Sequence, residues 1–196
     1  MYKVYGVLRS RGFRVMWALE ELGQPYEMIE AGPHSEAIYA VNASGKIPAL
    51  EVDGAILTDS TAIMTYLADN HSGLAAPAGT LERAKQDAMT QWALDEVDSV
   101  LWSATKHMAV LPEDRRVPDV VESCKWEFTN SIERLAKDFK GPLLTGENFA
   151  IADIIFVHCL GWARSIGISD LPDNLRAYAR EVRARPAFQA VMAHAE

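Results

Sequence analysis

Cysteine is scarce in this sequence, and its scarcity argues against two kinds of protein. The 196 residues include two cysteines, Cys124 and Cys159, which lie far apart and form no CxxC pair. A small secreted domain stapled by disulfides would need several cysteine pairs, and a dithiol enzyme would need a closely spaced one. We therefore expect a reduced protein without a disulfide framework.

Long apolar runs and an excess of basic charge are missing as well. No run approaches the roughly 20 apolar residues of a membrane-spanning helix, and the N-terminus shows strand-like alternation without a signal-peptide pattern. The net charge is −8 with an isoelectric point near 5.2, which disfavours nucleic acid or an anionic membrane as a partner. The five histidines show no metal-ligand spacing. These absences together predict a cytoplasmic protein that uses no metal.

The first part of the chain alternates strand and helix patterns. A strand, a helix and a strand follow one another within about thirty residues, which is typical of a parallel βαβ unit. The predicted order is βαβαββα, with strands at 2–8 and 26–29, helices at 13–22 and 33–41, a proline-led hairpin, and a helix ending near residue 71.

The hairpin and the helix after it, residues 42–63, organise this half of the chain. Pro48 suits the first residue of a strand, and Asp53-Gly54 favours a type I′ turn. Asp59-Ser60 then precedes an apolar helical run. Such a pair is typical of a plain helix cap, but a helix N-terminus with a hydroxyl is also a place where a carboxylate can bind.

The second part of the chain has only helical patterns. Residues 72–80 contain Gly73, Pro77 and Gly79 and form a linker, so we place the domain boundaries at 1–72 and 80–196. Cys124 lies on the apolar stripe of its helix and is expected in the core. The predicted helices span residues 81–110, 117–140, 150–166 (the buried centre of this half), 172–183 and 186–194.

Several stretches make the whole chain resemble the cytosolic glutathione transferase family. ALEELGQPY at 18–26 is similar to the family's first helix and second strand, and NASGKIPAL at 42–50 to its NPxGKVPAL segment. DSTAI at 59–63 is similar to its E-S-x-A-I, GENFAIAD at 146–153 to its central helix start, and RPAF at 185–188 to its ending. The resemblance implies an α/β thioredoxin-like N-terminal domain followed by an all-α C-terminal domain.

The resemblance also implies a glutathione site. Pro48 would be cis, and the Ile47 backbone would pair with the cysteinyl backbone of glutathione in strand fashion. Ser60 would bind the γ-glutamyl carboxylate at the helix N-terminus, and Lys46 is a candidate for the glycyl carboxylate. Asp59 stands where the family usually has Glu, one methylene longer, so its contact with the glutathione ammonium is expected to run through water.

A second departure from the family pattern lies at the start of the central helix. Ala150 stands where Ser or Thr is usual, which should cost about 1 kcal/mol of capping energy. Asp153 at the third helical position remains, and a Phe149–Ile154 staple is expected, so the helix should still form.

Two hydroxyls compete for the role of thiolate donor. Ser10 has the spacing from Arg14 that is found in serine-type members of the family, although by itself it is equally typical of a helix cap. Tyr5, at the end of the first strand, fits the tyrosine-type pattern. We favour Ser10 because it is nearer the helix start. Arg9, Arg11 and Arg14 add positive charge that favours a thiolate, and Arg14 is alternatively an ion-pair partner within the fold.

The expected function is transfer of glutathione to a small hydrophobic electrophile, with glutathione as co-substrate and no bound cofactor. The alternatives are a glutathione-dependent isomerase or dehalogenase, a disulfide reductase that uses two glutathiones, and a non-catalytic binding protein. A homodimer is expected, as in most relatives. The electrophile pocket is expected between the domains, lined by Leu8, Trp102, Lys106, Met108 and Trp162.

Overall fold

Four strands form one mixed sheet in the computed structural model, which describes residues 1–194. They are β1 (Tyr2–Gly6), β2 (Tyr26–Glu30), β3 (Ala49–Val52) and β4 (Ala55–Thr58). The order across the sheet is β2-β1-β3-β4, with β1 parallel to β2 and the other two pairings antiparallel. Three helices complete the predicted βαβαββα order: α1 (Gly12–Glu21), α2 (Glu36–Tyr39) and α3 (Ser60–His71).

The strand register gives the sheet two different faces. Val4 lies opposite Leu50, and both are fully buried. On the other face Tyr5 lies opposite Ala49, and these residues pack with Ile38 of α2 in a second apolar cluster. Successive side chains of a strand point to opposite faces, so the direction of Tyr5 is fixed by the pairing of β1 with β3.

The predicted turn between β3 and β4 is confirmed. Asp53 has a φ of 50° and Gly54 a φ of 81°, and β3 and β4 pair antiparallel on either side of them. A type I′ turn requires both central residues to adopt a positive φ, which explains the Asp-Gly pair.

A closing helix, α9 (Pro186–Ala193), belongs to the same compact unit as the sheet. This first unit comprises Met1–Arg83 and the segment from Ala184 onward. The domain boundaries predicted from the sequence, 1–72 and 80–196, remain predictions. The compact units themselves place residues 81–83 and the whole of α9 with the sheet.

The second unit, Ala84–Arg183, is helical throughout its named elements. The predicted helix at 81–110 is a continuous helical path, but two stretches of it, at 93–98 and 106–110, have the wider π-helical hydrogen-bond pattern. Its α-helical parts and the later helices are α4 (Leu81–Trp92), α5 (Ser99–Thr105), α6 (Pro118–Asp138), α7 (Ile151–Ser165) and α8 (Asp173–Arg183), with a short 3₁₀ turn at Glu113–Arg115.

Helix α7 is the buried centre of this unit, as predicted, and Cys124 of α6 is buried. Ala150 precedes α7 without a side-chain cap, and its N–H donates to Asp153 Oδ2 at 2.9 Å. The other carboxylate oxygen accepts from Leu144 N at 3.0 Å and from the Tyr178 hydroxyl at 2.6 Å. Burial and the adjacent Asp153 charge raise the pKa of Tyr178, so the phenol stays a donor.

Residues 1–194 lack two further kinds of feature. No helix in this range is both long and apolar enough to cross a membrane. The same residues include no cluster of three or more His, Cys, Asp or Glu side chains suited to a metal ion.

Candidate active site

One edge of the sheet gathers the residues that the sequence singled out in the first unit. Because β1 and β3 are antiparallel, the end of β1 and the start of β3 lie at the same edge. A Cβ added to Gly6, the last residue of β1, would lie 3.9 Å from Pro48 Cβ and 3.7 Å from Gly12 Cα. The start of α1 and the proline before β3 are therefore neighbours. Thr58 pairs with Ala49 at this edge and leads into Ser60.

Ser10 sits in the turn that leads into α1. Its Oγ donates to Val7 O at 2.6 Å and accepts from Gly12 N at 3.0 Å, while Ser10 O accepts from Phe13 N at 3.1 Å. The residue is half-buried. Ser10 thus satisfies one of the first N–H groups of α1, as a capping residue does, and its hydroxyl lies where the helix dipole favours negative charge.

Tyr5 has a different environment. Its hydroxyl donates to Glu51 Oε2 at 2.8 Å, and Lys3 Nζ lies 3.0 Å from Glu51 Oε1. The hydrogen bond to Glu51, together with burial, raises the pKa of Tyr5, and the same bond lowers the pKa of Glu51. The phenol is held by a carboxylate on the face of the sheet opposite Val4.

The segment before β3 leaves its main chain open. The Ile47–Pro48 bond is cis and Pro48 is buried. Within residues 1–194, no hydrogen bond joins the N–H or C=O of Ile47 to another residue. Lys46 beside it is exposed. Such an open N–H and C=O pair at a strand start can accept an extended peptide in strand-like pairing.

A network that the sequence did not reveal holds this segment in place. Asn42 Nδ2 donates to Lys46 O at 2.8 Å, and His34 N donates to Gly45 O at 2.8 Å. His34 Nδ1 is 2.8 Å from the Tyr39 hydroxyl, and both side chains pack closely against Gly45. The available sequence signal for this network was the glycine of the Gly-Lys-Ile-Pro stretch. A glycine is favoured where the backbone needs a positive φ, and buried Gly45 has a φ of 67°.

The start of α3 combines a cap with a buried hydroxyl. Asp59 adopts a φ of 71°, and its Oδ1 accepts from Thr61 N at 2.9 Å and Ala62 N at 3.0 Å. Ser60 is the first residue of α3 and only 3% exposed. Asp59 thus caps the helix, and the Ser60 hydroxyl lies at the same N-terminus.

The three arginines predicted near the thiol differ in exposure. Arg9 is exposed, Arg11 is half-buried, and Arg14 is fully buried within α1. Arg14 therefore belongs to the interior of the first unit, in agreement with its alternative role as part of the fold.

The predicted electrophile residues are divided between the two units. Leu8 follows β1 in the first unit. In the second unit the rings of Trp102 and Trp162 lie 6.4 Å apart, and Trp162 Nε1 donates to Thr105 Oγ1 at 3.0 Å. His158, which the sequence did not single out, has its ring 6.5 Å from that of Trp162.

Lys106 and Met108 lie further along the same helical path. Both belong to the π-helical stretch that follows α5; Lys106 is half-buried and Met108 is exposed. The structure thus brings the two tryptophans together and puts Lys106 one turn after Trp102.

A comparison with known protein families gives one match. A family model described as the N-terminal domain of glutathione S-transferases matches residues 4–75. This range contains Tyr5, Ser10, the Lys46–Pro48 segment and Ser60, and so all the site residues of the first unit.

Curated relatives and solved structures match over most of the chain. LigF from Sphingobium sp. is 33% identical over 227 residues, covering 92% of this chain and 88% of LigF. Glutathione S-transferase GstB from Escherichia coli K12 is 28% identical over 199 residues, covering 91% of each protein. The solved structure of a sphingomonad glutathione S-transferase complexed with glutathione superposes with a TM-score of 0.84 at 28% identity, covering 98% of both chains.

Proposed function

The chain belongs to the glutathione S-transferase family, and we propose that the hydroxyl of Ser10 stabilises the glutathione thiolate in this enzyme. The protein is a glutathione transferase. The thiol of bound glutathione is proposed to be activated for attack on a small hydrophobic electrophile. The observation that carries the proposal is the position of Ser10 at the start of α1, next to Gly12 and hence beside the Pro48 edge. Tyr5, the other candidate, donates to Glu51 instead.

The energies required are within reach of one hydroxyl and one helix. A free cysteine thiol has a pKa near 8.5, and lowering it by about two units takes roughly 2.7 kcal/mol. A hydrogen bond to a charged group contributes about 1.5–3 kcal/mol, and a helix N-terminus about 0.3–1 kcal/mol. The Ser10 hydroxyl would stop donating to Val7 O and donate to the sulfur instead. The new acceptor is charged, and a hydrogen bond to a charged acceptor is stronger than one to a neutral acceptor.

The remaining residues of the edge are proposed to hold the rest of glutathione. The open N–H and C=O of Ile47, beside Pro48, would pair with the cysteinyl main chain. Ser60 would bind the γ-glutamyl carboxylate at the N-terminus of α3, and Lys46 the glycyl carboxylate. Asp59 Oδ1 already accepts hydrogen bonds from two N–H groups at the start of α3. This supports a contact through water between its carboxylate and the glutathione ammonium.

The reaction then needs no group on the protein that changes covalently. The thiol proton passes to solvent as glutathione binds. The thiolate attacks the electrophilic atom, a new C–S bond forms, and the leaving group departs with the electron pair of its bond. Ser10 acts by holding negative charge on sulfur before attack, so its contribution is larger at pH values below the thiol pKa.

Steady-state kinetics test the role of Ser10. With glutathione and an aryl halide, Ser10→Ala should lower kcat by about ten- to a hundredfold at pH values well below the parent thiol pKa, because there each unit of rise in the pKa lowers the thiolate fraction tenfold. At a pH above the raised thiol pKa, kcat should return to near the parent value. Ser123→Ala, an exposed serine on α6, is the matched control. A pH-independent loss of activity in Ser10→Ala would refute the proposal.

The second substrate is proposed to contact Trp102, Lys106, Met108 and Trp162 of the second unit, while the predicted role of Leu8, in the first unit, stays a prediction. The paired rings of Trp102 and Trp162 support an apolar, planar-faced surface on the second unit. Trp102→Ala should raise KM for an aryl halide and leave KM for glutathione unchanged. Trp126→Ala, an exposed tryptophan of α6, should change neither. Peroxide, disulfide and isomerisable substrates in the same assay separate conjugation from reduction, isomerisation and dehalogenation.

We further propose that the protein is a cytoplasmic homodimer with glutathione as co-substrate. The relatives named above support this through family membership alone. Sedimentation equilibrium gives the mass in solution, and a monomer at micromolar concentration would refute the dimer. Retention on immobilised glutathione, with elution by free glutathione, tests co-substrate binding independently of turnover.

A further inference from the structure

The closing helix α9 lies against the helix that begins beside Ser10. The ring of Phe188 lies 5.4 Å from that of Phe13 at an interplanar angle of 66°, and 4.9 Å from that of Trp17 at 77°. Both are edge-to-face contacts, the geometry that aromatic pairs prefer. Phe13 and Trp17 are buried, and Phe188 is half-buried. A single residue of α9 thus contacts two successive turns of α1.

A separate ion pair holds the other end of α1. Arg185 Nε and Nη2 donate to Glu21 Oε1 and Oε2 at 2.6 and 2.7 Å, a bidentate pair. Glu21 Oε1 also accepts from Trp17 Nε1 at 3.0 Å. The Arg-Pro-Ala-Phe stretch therefore supplies a charged attachment at the last turn of α1 and an aromatic one at its first two turns, and Trp17 takes part in both.

The aromatic attachment reaches Ser10 through main-chain contacts. Phe13 N donates to Ser10 O at 3.1 Å, and Gly12 N donates to Ser10 Oγ at 3.0 Å. The atoms around Gly12 are closely packed, because a Cβ on Gly12 would lie only 3.1 Å from Ser10 Oγ and 3.3 Å from Val7 O. A small shift of the first turn of α1 must therefore change the position of the hydroxyl.

We propose that Phe188 is a positioning residue for the thiol-activating hydroxyl: through its edge contact with Phe13 it fixes the first turn of α1 and thereby the direction of Ser10 Oγ. The inference rests on the proposed role of Ser10. It assigns the two attachments different effects, with Phe188 setting the acidity of the bound thiol and Arg185 holding the far end of the helix.

The first test is Phe188→Leu, which keeps an apolar side chain but removes the ring. The pKa of the bound glutathione thiol, read from thiolate absorbance of the enzyme–glutathione complex, should rise by about half to one unit. The thiolate fraction below the pKa then falls about three- to tenfold. The loss of kcat should disappear at alkaline pH, and KM for glutathione should change less than about twofold, because the carboxylate-binding residues are untouched.

Two variants of the same helix serve as comparisons. Arg185→Gln breaks the ion pair to Glu21 and should lower the thermal midpoint without moving the thiol pKa. Met192→Ala alters an exposed residue of α9 and should change neither quantity. If Phe188→Leu and Arg185→Gln move the thiol pKa equally, the shift follows stability and not the contact with Phe13, and the inference is wrong.

A double-mutant cycle keeps the test valid if Phe188→Leu is poorly stable. Phe13→Leu removes the same contact from the α1 side and should give a similar upward shift, and the double variant should add little to either single change. Additive shifts in the double variant would overturn the inference.

Ser10→Ala separates the two proposals. An unchanged thiol pKa in Ser10→Ala refutes the role of Ser10, whereas a shift there with none in Phe188→Leu refutes only the role of Phe188.

Discussion

At the scale of single residues, a binding group and an activating group should have different kinetic effects. Ser60 is proposed to touch the γ-glutamyl carboxylate, which carries the same charge before and during the reaction. Its contribution is therefore uniform between ground and transition states. We expect Ser60→Ala to raise KM for glutathione about tenfold, equivalent to about 1.4 kcal/mol, with kcat nearly unchanged. Ser123→Ala, which removes an exposed hydroxyl on α6, is the control.

The kinetic assignment of Ser60 has a clear contrary result. A large fall in kcat at saturating glutathione, with the affinity for glutathione preserved, would mean that Ser60 acts in the transition state. The buried position of its side chain at the start of α3 would then need another explanation.

The Tyr5–Glu51 pair gives a prediction about acid stability. Glu51 has a lowered pKa in the folded chain, first through the Tyr5 hydrogen bond and then through Lys3. A lowered folded pKa contributes stability above the ordinary carboxyl pKa, and that contribution is lost as the pH falls through the folded value. The stability difference between parent and Glu51→Gln should therefore be greatest near neutral pH and vanish in acid.

Urea unfolding measured from about pH 7 down to about pH 3 follows this difference across the titration. Glu30→Gln, at the exposed end of strand β2, controls for the general loss of one negative charge. If the gap between parent and Glu51→Gln stays constant through the acid range, the Glu51 charge does not stabilise the sheet.

Individual residues could be predicted from the sequence where their roles are local. The cis bond at Pro48 and the type I′ turn at Asp53-Gly54 depend on neighbouring residues and on family motifs. The partner of Tyr5 could not be predicted, since Glu51 reaches it only through the pairing of β1 with β3. For the same reason the Tyr178 hydroxyl on Asp153, 25 residues away in the chain, was not predicted.

At the scale of elements, the start of α7 offers a direct test of capping. Ala150 has no side-chain acceptor for the first N–H groups of the helix. Ala150→Ser supplies one and should stabilise the fold by about 1 kcal/mol. For a chain of this size that corresponds to a rise in the thermal midpoint of about 2–4 °C.

A serine in the helix interior is the matched control. Ala163→Ser adds the same hydroxyl at a fully buried position more than three turns after the start of α7, where no free helix N–H needs it, and should lower the midpoint. An unchanged or lower midpoint in Ala150→Ser would show that the buried site has no room for the hydroxyl and that capping is not what limits α7.

The loop before β3 is an element whose shape depends on one glycine. A Cβ on Gly45 would lie 2.4 Å from His34 Nδ1 and 2.9 Å from the Tyr39 ring, so Gly45→Ala must displace this side-chain pair or the loop. Because Lys46 and Ile47 follow directly, KM for glutathione should rise by about tenfold, or about 1.4 kcal/mol.

Gly54→Ala separates backbone strain from the clash at Gly45. Gly54 also has a positive φ, 81°, but a Cβ there would meet open space. Both variants should lose stability through strain, which typically costs about 1–3 kcal/mol, while only Gly45→Ala should weaken glutathione binding. Equal KM values for glutathione in the two variants would show that the loop before β3 does not shape the glutathione site.

The helices show how far periodicity predicts elements. The spacing of apolar residues predicted all the long helices to within a few residues at each end. It did not predict the π-helical stretches at 93–98 and 106–110, because the apolar spacing over five or six residues does not distinguish a π-helical turn from an α-helical one. Trp102 and Lys106 lie between and within these stretches, so their directions could not be derived from a regular 3.6-residue period.

At the scale of the whole molecule, the fold class followed from the order of elements and from the family motifs. The grouping of α9 with the sheet did not, because the short apolar sequence of α9 does not indicate which element it packs against. Its partners, Phe13, Trp17 and Glu21, are more than 160 residues away in the chain. Only the folded chain reveals that the Arg-Pro-Ala-Phe stretch packs on the helix that starts beside Ser10.

The central claim, that Ser10 holds the sulfur, is tested most directly by titrating the thiol of bound glutathione. Thiolate absorbance of the enzyme–glutathione complex is measured against pH for the parent, Ser10→Ala and Tyr5→Phe. Stabilising the anion lowers its pKa, so loss of the donor must move the titration upward. We predict a rise of about one to two units in Ser10→Ala, from about 1.5–3 kcal/mol at 1.36 kcal/mol per unit, and a parent-like titration in Tyr5→Phe. A rise in Tyr5→Phe with none in Ser10→Ala, or no rise in either, would contradict the claim.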